Sequence, residues 1–325
     1  MAFSSWSRRL EPLLDTSNYT DTVQSASPDI GVSVIVASVE AEGRIRDCLE
    51  SVMKSARGHA VEVIVVDASR DGSARLVRLS FPDAQLVDVQ PGTLTPVLWA
   101  EGLARSRGHT VAFTTANNVV SQSWLSELSS GLESGAAGVG GPISLASRSS
   151  LTDAAIYFLR YSAFMPRSSA NVYETAEIPG DNSLYRRDAL DRHSAALRDG
   201  FWEVELHDVL RSEGERLVMV PAAEVEFGRS AALGVISRQR FAHGKHYGRW
   251  RVVGHGVSIF RIVFALPLVP FVMLTRGARR VRAAGGSLRL FTLCSPIFLW
   301  LAACWAFGEA VGSITTSTRE DANRR

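Results

Sequence analysis

The chain has 325 residues, 46% of them hydrophobic, and a formal charge of only +2, long enough for one large domain or two modest ones. No Asp or Glu occurs from Phe227 to Gly308, where twelve Lys or Arg lie, and Glu309–Arg325 balances three acids against three arginines, so residues 1–226 carry 2 − 12 = −10. An acidic body joined to a basic, apolar end is the wrong pattern for a nucleic-acid binder and suits a domain held at an anionic membrane surface.

The first thirty residues are rich in Ser, Thr and Asp, lack an apolar signal core, and read as a disordered arm. "GVSVIVASVE" (Gly31–Glu40) is a short β-branched run of the kind buried on both sheet faces. In "AEGRIRDCLESVMKSA", Ile45, Cys48, Leu49, Val52 and Met53 recur at helical spacing. "VEVIVVD" (Val61–Asp67) is a second strand, "SARLVRLSF" a helix, "AQLVDVQ" a third strand, "PVLWAEGLARSRG" a helix stopped by Gly108, and "TVAFTT" (Thr110–Thr115) a fourth strand. Alternation of this kind predicts a mostly parallel, Rossmann-like α/β sheet flanked by helices, with its ligand beyond the carboxyl ends of the strands. Asp67 and the loop "TTANN" occupy two such ends.

Residues 144–225 are more mixed, with a helical "DAAIYFLRYSAF" and a Pro-Gly turn in "EIPGDNSLYRRDAL". Beyond them, Val257–Thr275 is apolar except for Arg261 and carries Pro267 and Pro270, while Leu290–Gly308 is nineteen residues without a charge. The second has the length of a membrane helix, and the first reads as a kinked or re-entrant one. Basic residues flank both sides of the first segment, so the positive-inside rule does not fix an orientation. The three cysteines, Cys48, Cys294 and Cys304, form neither a disulfide framework nor a metal-ligand spacing. "ASVEAEG" has one glycine where a dinucleotide fingerprint needs three, and no Gly-x-Ser-x-Gly elbow is present. His243 and His246 are a weak metal pair, with no nearby Cys or acidic partner downstream.

"VSVIVASVEAEGRIRDCLESV", "VEVIVVDASRDGSARLV" and "WAEGLARSRGHTVAFTTANN", in this order and spacing, resemble the nucleotide-sugar-binding half of glycosyltransferase family 2, with its GT-A fold. The later "GDNSLYRRDAL" and "FWEVELHDVLRSEGERL" are similar to its acceptor-side segments, so the likeness runs from about Val32 to Pro221. The resemblance implies that Asp67 contacts the nucleotide base or ribose; a turn or helix-capping role is the competing reading of the same carboxylate. It implies that Ala37, Ser38 and Glu40 form the first loop of the nucleotide pocket, where Glu40 could equally be a solvated helix start. Thr115-Ala116-Asn117 stands where the family has Asp-x-Asp. That motif holds Mg²⁺ or Mn²⁺ against the diphosphate, and neutral Thr115 and Asn117 are poor substitutes for carboxylates. Arg238, Arg240 and Lys245 in "SRQRFAHGKHYGRWR" are the cations that could take the ion's place, or else the basic collar of a membrane anchor. By spacing, Glu203 matches the carboxylate that removes the acceptor's proton in inverting members, with Glu205 and Asp208 as neighbouring alternatives. Asp181 and Asn182 fall on the acceptor side, where Asp181 could also serve the turn.

These readings predict a GT-A-like domain over residues 31–230, a basic juxtamembrane segment over 231–255, a membrane-associated helical hairpin over 256–312 and a polar tail over 313–325. The expected function is a membrane glycosyltransferase at the cytoplasmic face, making cell-envelope polysaccharide. It would move a sugar from a nucleotide-sugar donor to a lipid-linked or glycan acceptor, with no nucleic acid as partner. The competing reading is a catalytically silent nucleotide- or glycan-binding module of the same fold.

Overall fold

The computed structural model describes residues 30–167, 171–228 and 231–323, so most of the expected N-terminal arm lies outside the described residues. In chain order, β1 (Val32–Ser38), α1 (Ile45–Ser55), β2 (Val61–Asp67), α2 (Ser73–Ser80), β3 (Gln85–Asp88), α3 (Thr95–Leu103) and β4 (Thr110–Thr115) follow the expected alternation. Then come β5 (Asn118–Val120), α4 (Trp124–Leu132), β6 (Gly138–Gly140), β7 (Ile143–Leu145), α5 (Leu151–Tyr161), β8 (Tyr173–Thr175), β9 (Asn182–Arg186), α6 (Arg187–Asp191), α7 (Ser194–Leu197) and α8 (Glu203–Ser212). The chain continues through β10 (Leu217–Met219), β11 (Val225–Phe227), α9 (Leu233–His255), α10 (Ile259–Ala265), α11 (Val269–Ala283) and α12 (Leu288–Asn323).

The main sheet has the order β3-β2-β1-β4-β9-β6-β10-β8, and β5, β11 and β7 form a small second sheet. The first four strands are parallel, and β9 enters antiparallel between β4 and β6. In register, Ser38 lies opposite Asp67 and Ala37 opposite Thr115, so three strands end at one level and open a single crevice. Alternation along the strands separates two cores. Val34, Val36, Val63, Val65 and Ala112 face α1, α4 and α5, while Ile35, Ile64, Val66, Val111 and Phe113 face Trp99 and Phe201. Burial on both faces is why these strands read as continuous apolar runs.

The carboxy-terminal helices do not form a separate module. Phe291, Cys294, Phe298, Leu301 and Ala302 of α12 belong to the same buried cluster as Val34, Ala155 and Phe158 of the α/β domain. The boundary expected near residue 256 is therefore crossed by a shared core. The first apolar segment is broken as its prolines suggest, with α10 and α11 meeting at 70°. The expected polar tail is a continuation of α12, which reaches Asn323.

Helix α9, expected as a juxtamembrane collar, packs along α12 through two glycine pairs. A Cβ at Gly244 or Gly248 would lie 2.0 or 2.1 Å from the carbonyl oxygens of Trp305 and Glu309. One at Gly308 or Gly312 would lie 2.0 or 1.9 Å from those of Phe241 and Lys245. Only glycine permits this backbone approach. Arg251 pairs with buried Glu309 beside the crossing, and Ser313 donates to the Gly248 carbonyl. Gly308→Val therefore forces the helices apart and destabilises the full chain by about 1–3 kcal/mol or more, read as a lowered midpoint of thermal unfolding; an unchanged midpoint would mean the helices do not meet here.

Candidate active site at the carboxyl ends of the sheet

A crevice runs beyond the ends of β1, β2 and β4 and is walled on its far side by α9. Its innermost part is a cavity of about 60 Å³ lined by Ala37, Thr115, Asn117, Arg160, Arg240 and His243, among others. Asn117 and Ala231 also line a larger opening of about 1020 Å³ with Glu40 and Arg44. Val39 and Gln239 also line a third, of about 690 Å³, with Glu40, Arg70 and Arg238. Residues far apart in sequence thus line neighbouring openings that share side chains.

Loop geometry explains part of this convergence. Glu40 has φ of 50°, in the left-handed region that disfavours a side chain. Two hydrogen bonds hold it there: its N–H donates to Ser69 Oγ, and its Oε1 accepts from the Arg70 N–H. Asp67 in turn accepts from the Ser69 N–H at 3.2 Å and the Ser69 hydroxyl at 2.8 Å. Asp67 thus makes the hydrogen bonds of a turn: its carboxylate is buried, lines none of these three openings and, through Ser69, ties the second loop to the first. Ser38 is buried beside it, and its Oγ has no hydrogen-bond partner among the described residues.

The chemistry concentrates at the end of α5. A Ser150–Asp153 capping box starts this helix, and its last turn presents Arg160 and Tyr161. Asp181, 2% exposed, accepts from Arg160 Nη2 at 2.8 and 3.1 Å and from the Tyr161 hydroxyl. Burial pushes the Tyr161 phenol well up, so it stays protonated and keeps donating. Removing one partner of a buried ion pair leaves the other uncompensated, at a cost of about 3–5 kcal/mol. Arg160→Met should accordingly lower the chemical-denaturation midpoint markedly; a loss below about 1 kcal/mol would mean that Asp181 is not held in this way.

Glu203 opens α8 and is half-buried against Gly180, where a Cβ would lie 3.3 Å from the Glu203 carboxyl carbon. Burial, reinforced by the nearby Asp181 charge and opposed by Arg160, pushes the Glu203 carboxyl up to about 7. Arg240 has a buried Nε without a partner among the described residues. Burial, and then the Arg160 charge, pull its guanidinium down to about 10, which leaves it cationic at neutral pH. Burial and the same two arginines hold His243 neutral, well below the usual histidine range. His246 stacks on Trp202 at 3.5 Å and bonds Glu205 at 2.7 Å. The two histidines flank one indole, and among the described residues no three or more His, Cys, Asp or Glu side chains form a group that could hold a metal ion.

Two further expectations change. Lys245 is exposed and lines none of the three openings, because its backbone is pressed against Gly308 and Gly312 and its side chain leaves on another face of α9 from Arg240. Asn182 is fully buried; its Oδ1 accepts from Trp124 Nε1 at 2.7 Å, and its Nδ2 donates to the Pro142 and Ala223 carbonyls. With its amide engaged on both sides it braces the sheet and is not available to an acceptor. Arg238 is exposed at the outer opening, apart from Arg240 in the inner cavity.

The family model described as glycosyltransferase like family 2 matches residues 28–245, well over half of the chain. The chain belongs to that family. Among curated proteins, none matches it by sequence. Solved structures similar to it include GalNAc-T7 with UDP, GalNAc and Mn²⁺, at 12% identity and a TM-score of 0.48 over 62% of this chain and 44% of that one. This chain therefore spans less than half the length of that structure. Another is the mannosyltransferase PcManGT from Pyrobaculum calidifontis in complex with GDP-Man and Mn²⁺, at 17% identity and a TM-score of 0.48 over 87% of this chain and 86% of that one. In this family 2 glycosyltransferase, Arg160 and Tyr161 join the site without having carried any motif, and His243, read from the sequence only as half of a weak metal pair, lines its inner cavity. The only sequence signal for Arg160 was its place in the last turn of a recognisable helix.

Proposed function

We propose that this family 2 glycosyltransferase moves a sugar from a nucleoside-diphosphate sugar to an acceptor hydroxyl, with inversion, in the cavity between the ends of β1 and β4 and helix α9. The observation that carries this is a pair of arginines, Arg160 and Arg240, lining the inner cavity, with Glu203, a carboxyl raised to about 7, outside that lining but within electrostatic reach of both. Ionised Glu203 takes the proton of the acceptor hydroxyl, and that oxygen forms the new bond to the anomeric carbon. The bond from that carbon to the diphosphate oxygen breaks, and the nucleoside diphosphate leaves with the electron pair and its negative charge. Arg240, which lines the inner cavity and whose buried Nε has no partner among the described residues, is the group proposed to meet that charge; Arg160, shared with Asp181, adds to the local positive field.

The divalent ion that the family resemblance implies does not fit the residues present. Thr115 and Asn117 are neutral, and no carboxylate lines the inner cavity with them. Arg240 takes that electrostatic role in the proposed transfer. Glu40 and the backbone of the first loop border the openings where the nucleoside is proposed to sit, with Asp67 setting the loop's shape. Membrane attachment through residues 256–312, on the cytoplasmic side, with a lipid-linked or polysaccharide acceptor, completes the reading. It is supported by an apolar helical stretch, Leu288–Thr315, with a mean hydropathy of 1.9. The test is donor turnover by the purified full chain across UDP- and GDP-sugars, with water as acceptor. Release of free sugar that disappears in Glu203→Gln is expected, and equal release by both proteins would remove Glu203 from the mechanism.

A further inference from the structure

Helix α12 is long and apolar enough to cross a bilayer, yet one side of it is already occupied along the same length. Phe291 meets Phe158 of α5, Trp300 donates to Ser237 of α9, and Gly308 and Gly312 abut the α9 backbone at Phe241 and Lys245. A helix crossing perpendicular to the membrane would carry α9 with it, and exposed Arg238, Lys245 and Arg249 would enter the hydrocarbon. Along the edge of that contact α12 exposes an apolar stripe of Leu293, Trp300 and Phe307, seven residues apart, of which Trp300 and Phe307 border α9. Helix α10 adds Phe260 and Phe264, which are 83% and 82% exposed, and Leu268 and Phe271 continue the surface. Exposed Arg276, Arg279, Arg280, Arg282 and Arg289 accompany it in a segment without a single acid.

We infer that α10 and α12 lie along one face of the bilayer, dipping this apolar stripe into a single anionic leaflet without crossing it. The inference rests on the membrane attachment proposed above and replaces a spanning helix with an in-plane one. The occupant is a lipid surface: aromatic side chains enter the acyl boundary, and the arginines meet the phosphate headgroups. The 70° break between α10 and α11 turns the chain back before it could reach the far side.

The test uses the full chain with Cys304→Ser, since Cys48 and Cys294 are buried. Single cysteines are placed at Leu79 on exposed α2, at Arg289 and at Thr315, and sealed membrane vesicles are treated with an impermeant maleimide. Labelling of all three in the same vesicle orientation is expected; labelling of Arg289→Cys and Thr315→Cys from opposite sides would overturn the in-plane arrangement while keeping membrane attachment. In a second arm, the purified chain is mixed with vesicles of phosphatidylglycerol and phosphatidylcholine. The variant Phe260→Asp/Phe264→Asp should bind them at least tenfold more weakly, with an unchanged unfolding midpoint. A chain that ignores the vesicles, and whose gel-filtration size drops in this variant, would show the surface to be a contact between copies and would overturn membrane attachment as well. Donor turnover, measured separately in detergent, stands or falls independently of both results.

Discussion

Replacing Glu203 by glutamine lowers turnover by about 10²- to 10⁴-fold, the range of a lost general base. The native rate rises tenfold per pH unit below about 7 and levels off above it, because only ionised Glu203 accepts the acceptor's proton. Glutamine abolishes that limb and does not merely shift it. Stability runs the opposite way with pH. The carboxyl is raised from an ordinary 4.5 to about 7, so the folded state holds a proton that the unfolded state releases. This contribution is fully present below about pH 4.5 and is lost as pH rises through 7. Glu203→Gln, a permanent mimic of the neutral acid, should therefore gain stability relative to the native chain between pH 5 and 8. A variant that is slow but keeps the native pH profile would assign the base to another group, with Glu205 next to be tested.

Arg240→Ala lowers turnover by about 10²- to 10³-fold, equivalent to about 2.7–4 kcal/mol of lost transition-state stabilisation. The unfolding midpoint should barely fall, because the guanidinium is held by desolvation against a like charge and removing it relieves that repulsion. Arg240→Lys should recover only part of the rate, since an ammonium cannot grip a phosphate with two parallel N–H groups. Lys245→Ala, by contrast, leaves the rate within about twofold, as an exposed side chain away from the cavity would. Equal losses from both substitutions would favour a diffuse electrostatic collar over a specific contact.

The strands that carry the crevice were legible because burial on both faces writes itself as an uninterrupted β-branched run, and α1 because one face of it is wet. Strand β9 and the small second sheet were not, because three to five residues are too few to display a period. Glu203 is singled out over Glu205 and Asp208 only by its spacing within the family resemblance, and its place at the start of α8 is a local feature. Arg160 could not be reached in this way: its importance comes from Asp181, twenty-one residues later, reaching back to it across the fold. Lys245 and Arg240 look equivalent in a basic run, yet five residues on a helix turn them to different faces. Asp67 and Ser69 illustrate a different limit. A carboxylate at a strand end can serve a ligand or its own loop, and only the hydrogen bonds of the folded chain distinguish the two. The glycines of α9 and α12 are plain in the sequence as two Gly-x-x-x-Gly pairs, but nothing local indicates that each pair packs on the other.

The measurement that bears most directly on the cavity as a cation-assisted transfer site is donor turnover by the full chain in excess EDTA, with and without added Mn²⁺. With Arg240 meeting the diphosphate charge, the native chain keeps its rate in EDTA, Mn²⁺ adds little, and Arg240→Ala is slow under both conditions. Loss of native activity in EDTA that Mn²⁺ restores, with Arg240→Ala unimpaired, would contradict the assignment and place the charge of the leaving group on a metal ion.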